Sequence, residues 1–188
     1  MYINESRKVN LYMTRNELKI VSGAQTGVDQ GGLLTAMALG LEWGGWVPKG
    51  WRTENGTVPE RFRPKMRESG SSHYWVRTRQ NVVDSRATLI IANAYPLSGG
   101  TLKTRSFCGE LMRPHFVVSL DDADAVGKVR CWLGPFFASG HSVPFVLNVA
   151  GPRESKARGI QKRTRRFLVE VLGGMLTDEV KGKENNNG

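Results

Sequence analysis

Cysteine and histidine are scarce in this chain. Only Cys108 and Cys131 stand among its 188 residues, and the three histidines, His73, His115 and His141, are scattered so that no pair has metal-ligand spacing. That removes zinc frameworks and disulfide scaffolds, and no Ser/His/Asp or Cys/His set can be assembled from the sequence. Long apolar runs are lacking too. Nothing approaches the roughly 18 residues of a membrane span, and the opening Met1-Tyr2-Ile3-Asn4-Glu5-Ser6-Arg7-Lys8 has no apolar signal core. Both cysteines therefore read as reduced thiols of a cytoplasmic protein. Acidic residues are in deficit, 17 against 27 Lys and Arg, for a formal charge of +10. Such a balance fits solubility, anionic ligands or nonspecific attraction to nucleic acid. No internal repeat at a fixed period is present.

What the chain does have is a β-forming run, Leu18-Lys19-Ile20-Val21, passing straight into Ser22-Gly23-Ala24-Gln25-Thr26-Gly27-Val28-Asp29. Helical spacing follows in Leu33, Leu34, Met37, Ala38 and Leu41. A strand, a glycine loop and a helix together present backbone N–H groups to a phosphate. The loop is neither G-x-G-x-x-G nor a Walker A loop, and by itself it serves equally as a plain strand–helix connection.

The rest of the chain repeats that unit. Gly44-Gly45-Trp46-Val47-Pro48-Lys49-Gly50 reads as a short strand and a turn. Residues 51–72 show no helix or strand pattern. Their Arg52, Arg61, Arg63, Lys65 and Arg67, with Lys49, could fold over an anion or lie on a solvated excursion. A helix is predicted over 74–85 and a doubly buried strand over 88–92, ending in Asn93-Ala94-Tyr95-Pro96-Leu97-Ser98-Gly99-Gly100-Thr101. A helix over 102–112, a strand over 116–120 and a helix over 125–137 follow. A strand over 143–149 then opens into Ala150-Gly151-Pro152-Arg153-Glu154-Ser155. A last helix spans 155–172, with Lys156, Arg158, Lys162, Arg163, Arg165 and Arg166 on its polar face. The organisation is a flexible arm over 1–17, one domain over 18–176 and a disordered tail over 177–188; a start at Met13 would leave the domain intact.

Strands alternating with helices predict an α/β, Rossmann-like three-layer fold: an open, mostly parallel sheet with helices on both faces. Ligands of such sheets sit beyond the carboxyl ends of the strands. All three glycine loops follow strands, so all three are expected at one crevice, where an anionic, phosphate-bearing guest fits a basic protein.

Several stretches, in order, resemble one family. They are Ser22-Gly23-Ala24-Gln25-Thr26-Gly27-Val28-Asp29, Gly44-Gly45-Trp46 with Pro48-Lys49-Gly50, Arg77-Thr78, Asn81-Val82 with Asp84-Ser85, Gly99-Gly100-Thr101, and Leu147-Asn148-Val149-Ala150-Gly151-Pro152-Arg153-Glu154-Ser155. Together they resemble the molybdenum carrier family, also classed as circularly permuted YpsA-type proteins of the SLOG superfamily. The resemblance implies a Rossmann-like sheet binding a nucleotide or nucleotide-derived ligand. Its wider relatives include molybdenum-cofactor carriers and lysine-decarboxylase-like phosphoribohydrolases. Departures from the family pattern are Gln30-Gly31-Gly32 after the first Asp, where a basic residue and two alanines are usual, Arg86 for an acidic residue, and Arg158 for a proline.

The candidate ligand-binding residues are Gly23, Gln25, Thr26, Gly27, Asp29, Lys49, Arg77, Asn81, Gly99, Gly100, Thr101, Gly151, Arg153, Glu154 and Ser155. The glycines would bring backbone close to phosphate, Thr26 and Thr101 would donate hydroxyls or cap helices, and Arg153 would fork onto an anion or pair with Glu154. Glu110 lies too far from Gly100-Thr101 to take the role of the phosphoribohydrolase glutamate. No catalytic residue and no metal ligand is assigned. The expected partner is a small phosphate-bearing ligand, with a nucleotide or the molybdenum cofactor as its candidates. A homo-oligomer is compatible with the chain, and no membrane partner is expected. Three functions follow: a carrier or sensor of such a ligand; a nucleotide-processing N-glycosidic hydrolase; and a nucleic-acid-associated protein, resting on the basic last helix.

Overall fold

The computed structural model describes residues 13–138 and 144–177. The chain opens with strand β1 (Met13–Thr14), a single 3-10 turn and β2 (Leu18–Val21). Helix α1 (Val28–Leu39) leads to β3 (Glu42–Val47), a small hairpin of β4 (Arg52–Thr53) and β5 (Gly56–Thr57), and β6 (Met66–Glu68). Then come α2 (Tyr74–Val83), β7 (Ala87–Ala92), α3 (Gly99–Glu110), β8 (His115–Ser119) and α4 (Ala125–Ala138). The last elements are β9 (Phe145–Ala150), α5 (Ile160–Gly173) and β10 (Leu176–Thr177).

The central sheet has six strands in the order β6-β3-β2-β9-β7-β8, and every pair in it is parallel. The chain builds outward from β2 through β3 to β6. It then crosses to β7 and β8 and returns to lay β9 between β2 and β7. That return makes β9 the centre of the sheet and places the ends of β2, β9 and β7 side by side. Helices α1, α4 and α5 cover one face; α2 and α3 cover the other, where Val82, Phe107 and Cys108 form a small second core. The α/β three-layer expectation holds.

Helix α5 shows why these segments fold as they do. Ile160, Thr164, Phe167, Leu168, Val171 and Leu172 are buried at helical spacing, while Lys162, Arg163, Arg165 and Arg166 face solvent. Helix α1 crosses it so closely that a Cβ on Gly31 would lie 2.8 Å from the Gln161 carbonyl oxygen and from the Thr164 side chain. The glycine that departs from the family pattern, and that lowers local helix propensity, is thus what lets the two helices meet.

Four boundaries differ from expectation. Residues 13–17, read as the end of a loose arm, belong to the fold: Met13 is 4% exposed and pairs with Leu176 across β1 and β10. Residues 1–12 and 178–188, with the rest of the expected arm and tail, lie outside the described residues, as does His141. Residues 51–72 contain a hairpin, a 3-10 turn and the edge strand β6. Their apolar anchors are few, Val58, Phe62 and Met66, because a three-residue edge strand buries one side chain and leaves no period to detect. Four of their cations rest against rings, Arg61 over Phe62, Arg63 over Trp51, Lys65 over Trp43 and Arg67 over Trp46. Helix α3 begins at Gly99, three residues early, so Gly99-Gly100-Thr101 is its first turn. Helix α5 begins at Ile160, five residues late, after a 3-10 turn and a left-handed Gly159 (φ 80°).

Candidate functional site

The carboxyl ends of β2, β9 and β7 open into a cavity of about 430 Å³. Gly23, Gln25 and Asp29 border it from the first loop, 93–94 and 96–101 from the second and 148–153 from the third; α2 closes it with Tyr74, Arg77, Thr78 and Asn81. The three loops converge as the strand order requires.

Their helix entrances are not equivalent. At α1 the N–H of Val28 donates to the Pro152 carbonyl at 3.1 Å and that of Gln30 to the Gln25 carbonyl at 3.1 Å. Gly27, with φ +79°, lies against the Arg153–Glu154 backbone and does not line the cavity. At α5 the Glu154 carboxylate accepts from the N–H groups of Gly159 and Gln161 and so caps the helix. Only α3 is open. Its N-cap Ser98 makes no side-chain cap, no partner meets the N–H groups of Gly99, Gly100 and Thr101 among the described residues, and all three residues line the cavity. An added Cβ at Gly100 would touch nothing within 4 Å, so a ligand can reach this backbone.

Facing that helix end is a buried ion pair. Arg77 Nη1 donates to Asp29 Oδ2 at 3.0 Å, with side chains 12% and 5% exposed. The guanidinium lies on Gly23, where a Cβ would fall 1.5 Å from Nη1, and its Nε is buried without an acceptor. Burial pushes the Asp29 carboxyl above its ordinary range, against the pull of Arg77 and of the Gln25 N–H. Asn81 is already spent: its amide accepts from the Trp46 N–H at 2.8 Å and donates to the Trp46 carbonyl at 3.1 Å, serving β3 where β2 has ended. Gly151 packs on Ile91 and Val28. Arg153 and Lys156 bring exposed positive charge to the mouth.

The remaining candidates lie outside the cavity or are engaged beside it. Lys49 is exposed and outside the cavity. Thr26 and Ser155 turn to Glu54 on the hairpin, and Arg153 pairs with Glu54 (3.4 Å) rather than with Glu154. Gln25 is shared: it lines the cavity, and its Oε1 accepts from the Thr26 and Glu54 N–H groups at 3.0 and 2.9 Å. Glu110 ends α3, about 16 Å along the helix from Gly99 at 1.5 Å per residue. Sequence reasoning missed Tyr74, Asn93, Asn148, Lys156 and above all Glu54, which nothing in the sequence sets apart from Glu60 and Glu68 of the same excursion.

Among the described residues no group of three or more His, Cys, Asp or Glu is placed to hold a metal ion, and no helix is long and apolar enough to cross a membrane. Cys108 is buried and Cys131 exposed, both as free thiols.

No curated protein matches the chain. The crystal structure of a "putative molybdenum carrier protein" from Syntrophus aciditrophicus SB superposes with a TM-score of 0.75 at 36% sequence identity, over 85% of this chain and 97% of that one. A family model, the circularly permutated YpsA SLOG family, matches residues 20–172, from within β2 to the end of α5's buried stripe. On that match and that likeness, the chain belongs to the circularly permutated YpsA SLOG family.

Proposed function

We propose that this protein binds a small phosphate-bearing ligand, a nucleotide, a nucleotide derivative or a phosphorylated pterin, and acts as its carrier or sensor. The observation that carries the reading is the uncapped N-terminus of α3, whose three free N–H groups open into the cavity opposite Arg77. A helix end with unsatisfied N–H groups favours an anion by about 0.3–2 kcal/mol, and guanidinium contacts add charge-assisted hydrogen bonds. The name of the Syntrophus relative directs attention to the pterin member of this class. The donor set fits the phosphate end of such a molecule; a metal would arrive as cargo on the ligand, since the described side chains offer it no ligating cluster.

The hydrolase reading has one observation on its side. Asp29 is a carboxyl in the cavity wall whose proton is held to higher pH by burial, as a general acid requires. Release of free base from a nucleoside monophosphate would establish it.

The binding reading is tested by calorimetric titration with nucleoside mono- and diphosphates and a pterin phosphate, using the native protein and Gly100→Asp. A carboxylate there suits the helix dipole and meets no neighbour, so the variant folds, yet it fills the anion position. Binding should weaken about tenfold or more, the equivalent of roughly 1.4 kcal/mol. Equal affinity in the two proteins for a ligand that binds would place the site elsewhere.

A further inference from the structure

Glu54 sits at the turn of the β4–β5 hairpin, and its carboxylate reaches back to the strand ends with its side chain only 10% exposed. Four donors converge on it. Oε1 accepts from the Thr26 hydroxyl and from the Ser155 N–H at 3.1 Å; Oε2 accepts from the Ser155 hydroxyl and faces Arg153 Nε at 3.4 Å. Burial raises the tendency of Glu54 to hold a proton, and these bonds, with the Arg153 charge, outweigh it and leave the carboxyl below its ordinary range. Two hydroxyls, a backbone N–H and a guanidinium are the donor set with which proteins hold phosphate oxygens. Here an internal carboxylate fills it.

We propose that Thr26, Arg153 and Ser155 form a second anion-binding site, which Glu54 occupies as a stand-in and from which a phosphate group of the ligand displaces it. A phosphate carries up to two charges and three acceptor oxygens against the single charge of a carboxylate, so it outcompetes Glu54 for the same donors. The hairpin that would move has two residues in each strand, and such a hairpin is marginal by itself. Its tip residues Asn55 and Gly56 are exposed, and beyond Glu54 its turn is tied to the first loop by the Glu54 N–H on Gln25. Arg153 belongs to both places, lining the cavity while its Nε meets Glu54. The two anion positions therefore adjoin, and the ligand class this selects carries a diphosphate or two separate phosphates. The identity of that ligand rests on the phosphate-binding reading above; the second site itself stands on its own donors.

The test titrates inorganic phosphate and pyrophosphate into the native protein, Glu54→Gln, Gly100→Asp and the double variant. Glutamine keeps the length and a hydrogen-bonding end but removes the charge. Glu54→Gln should bind inorganic phosphate at least about tenfold more tightly than the native protein, and the gain should persist beside Gly100→Asp. A folded Glu54→Gln with unchanged phosphate affinity would overturn the proposal and make Glu54 a structural clasp. Should the variant fail to fold, hydrogen exchange on the native protein decides: saturating pyrophosphate should lower protection at the Glu54 N–H, which loses Gln25 as the hairpin leaves, while the Ser155 N–H keeps its protection on phosphate; unchanged protection at Glu54 overturns the proposal. Equal nucleoside phosphate affinity in the native protein and Gly100→Asp would sink the reading of the first site and leave the Glu54→Gln gain untouched, so the two failures are distinguishable.

Discussion

Gly27 and Gly100 look alike in the sequence, each a glycine in a loop after a strand, and the structure separates them. Gly27 has φ +79° and ψ −129°, a conformation closed to side-chain-bearing residues. A Cβ there would stand 2.5 Å from the Pro152 carbonyl oxygen, 2.7 Å from the Glu154 nitrogen and 2.8 Å from the Arg153 carbonyl carbon. All three are backbone atoms of the neighbouring loop, so no side chain can rotate away. Backbone strain of about 1–3 kcal/mol and overpacking of about 1–3 kcal/mol add to roughly 2–6 kcal/mol for Gly27→Ala. For a chain of this size that lowers Tm by roughly 4–24 °C at 2–4 °C per kcal/mol. Gly100→Ala meets nothing and sits in the first turn of a helix, where it should be neutral or stabilising by up to about 1 kcal/mol. The expectation that Gly27 brings backbone close to phosphate is corrected accordingly: that position locks two loops together. Thermal and urea unfolding of the two alanine variants read the difference. A Gly27→Ala protein melting within a degree of the native one would refute the reasoning from the positive φ and the backbone contacts.

Two further outcomes concern charge. The folded-state carboxyl of Glu54 lies below its unfolded value near 4.5, so its bonds stabilise the protein above that pH, and the contribution is lost as pH falls through the folded value. Unfolding free energy measured from pH 7 downward should therefore decline less steeply in Glu54→Gln than in the native chain, and parallel curves would refute this. Arg77→Met leaves the Asp29 carboxylate buried without its partner, a loss of about 3–5 kcal/mol. Because the folded Asp29 carboxyl is then raised still further, the penalty should grow as pH rises from about 4 to 7; a penalty constant across that range would show that lost packing, not charge, causes it.

The sequence by itself determined the architecture. Leu89, Ile90 and Ile91 form a run with no polar gap, which only a strand covered on both faces can bury, and α5 declares its inner and outer faces by period alone. Strand–loop–helix order then forced the glycine loops to one edge, because parallel strands end on the same side. What the tertiary structure decided is which groups at that edge are free. A helix N-terminus has the same local sequence whether its N–H groups meet a ligand, a carbonyl or a carboxylate. At α1 the Pro152 carbonyl, 124 residues away by number from Val28, takes that place; at α5 it is Glu154; at α3 nothing among the described residues does. Glu54 escaped notice for the same reason. Its turn sequence predicts a hairpin tip, but its contacts with Thr26 and Ser155 span 28 and 101 residues of chain and exist only because the hairpin folds back over the strand ends. Local pattern records the backbone's preference; the competition for each polar group is settled among residues that meet only in the folded chain.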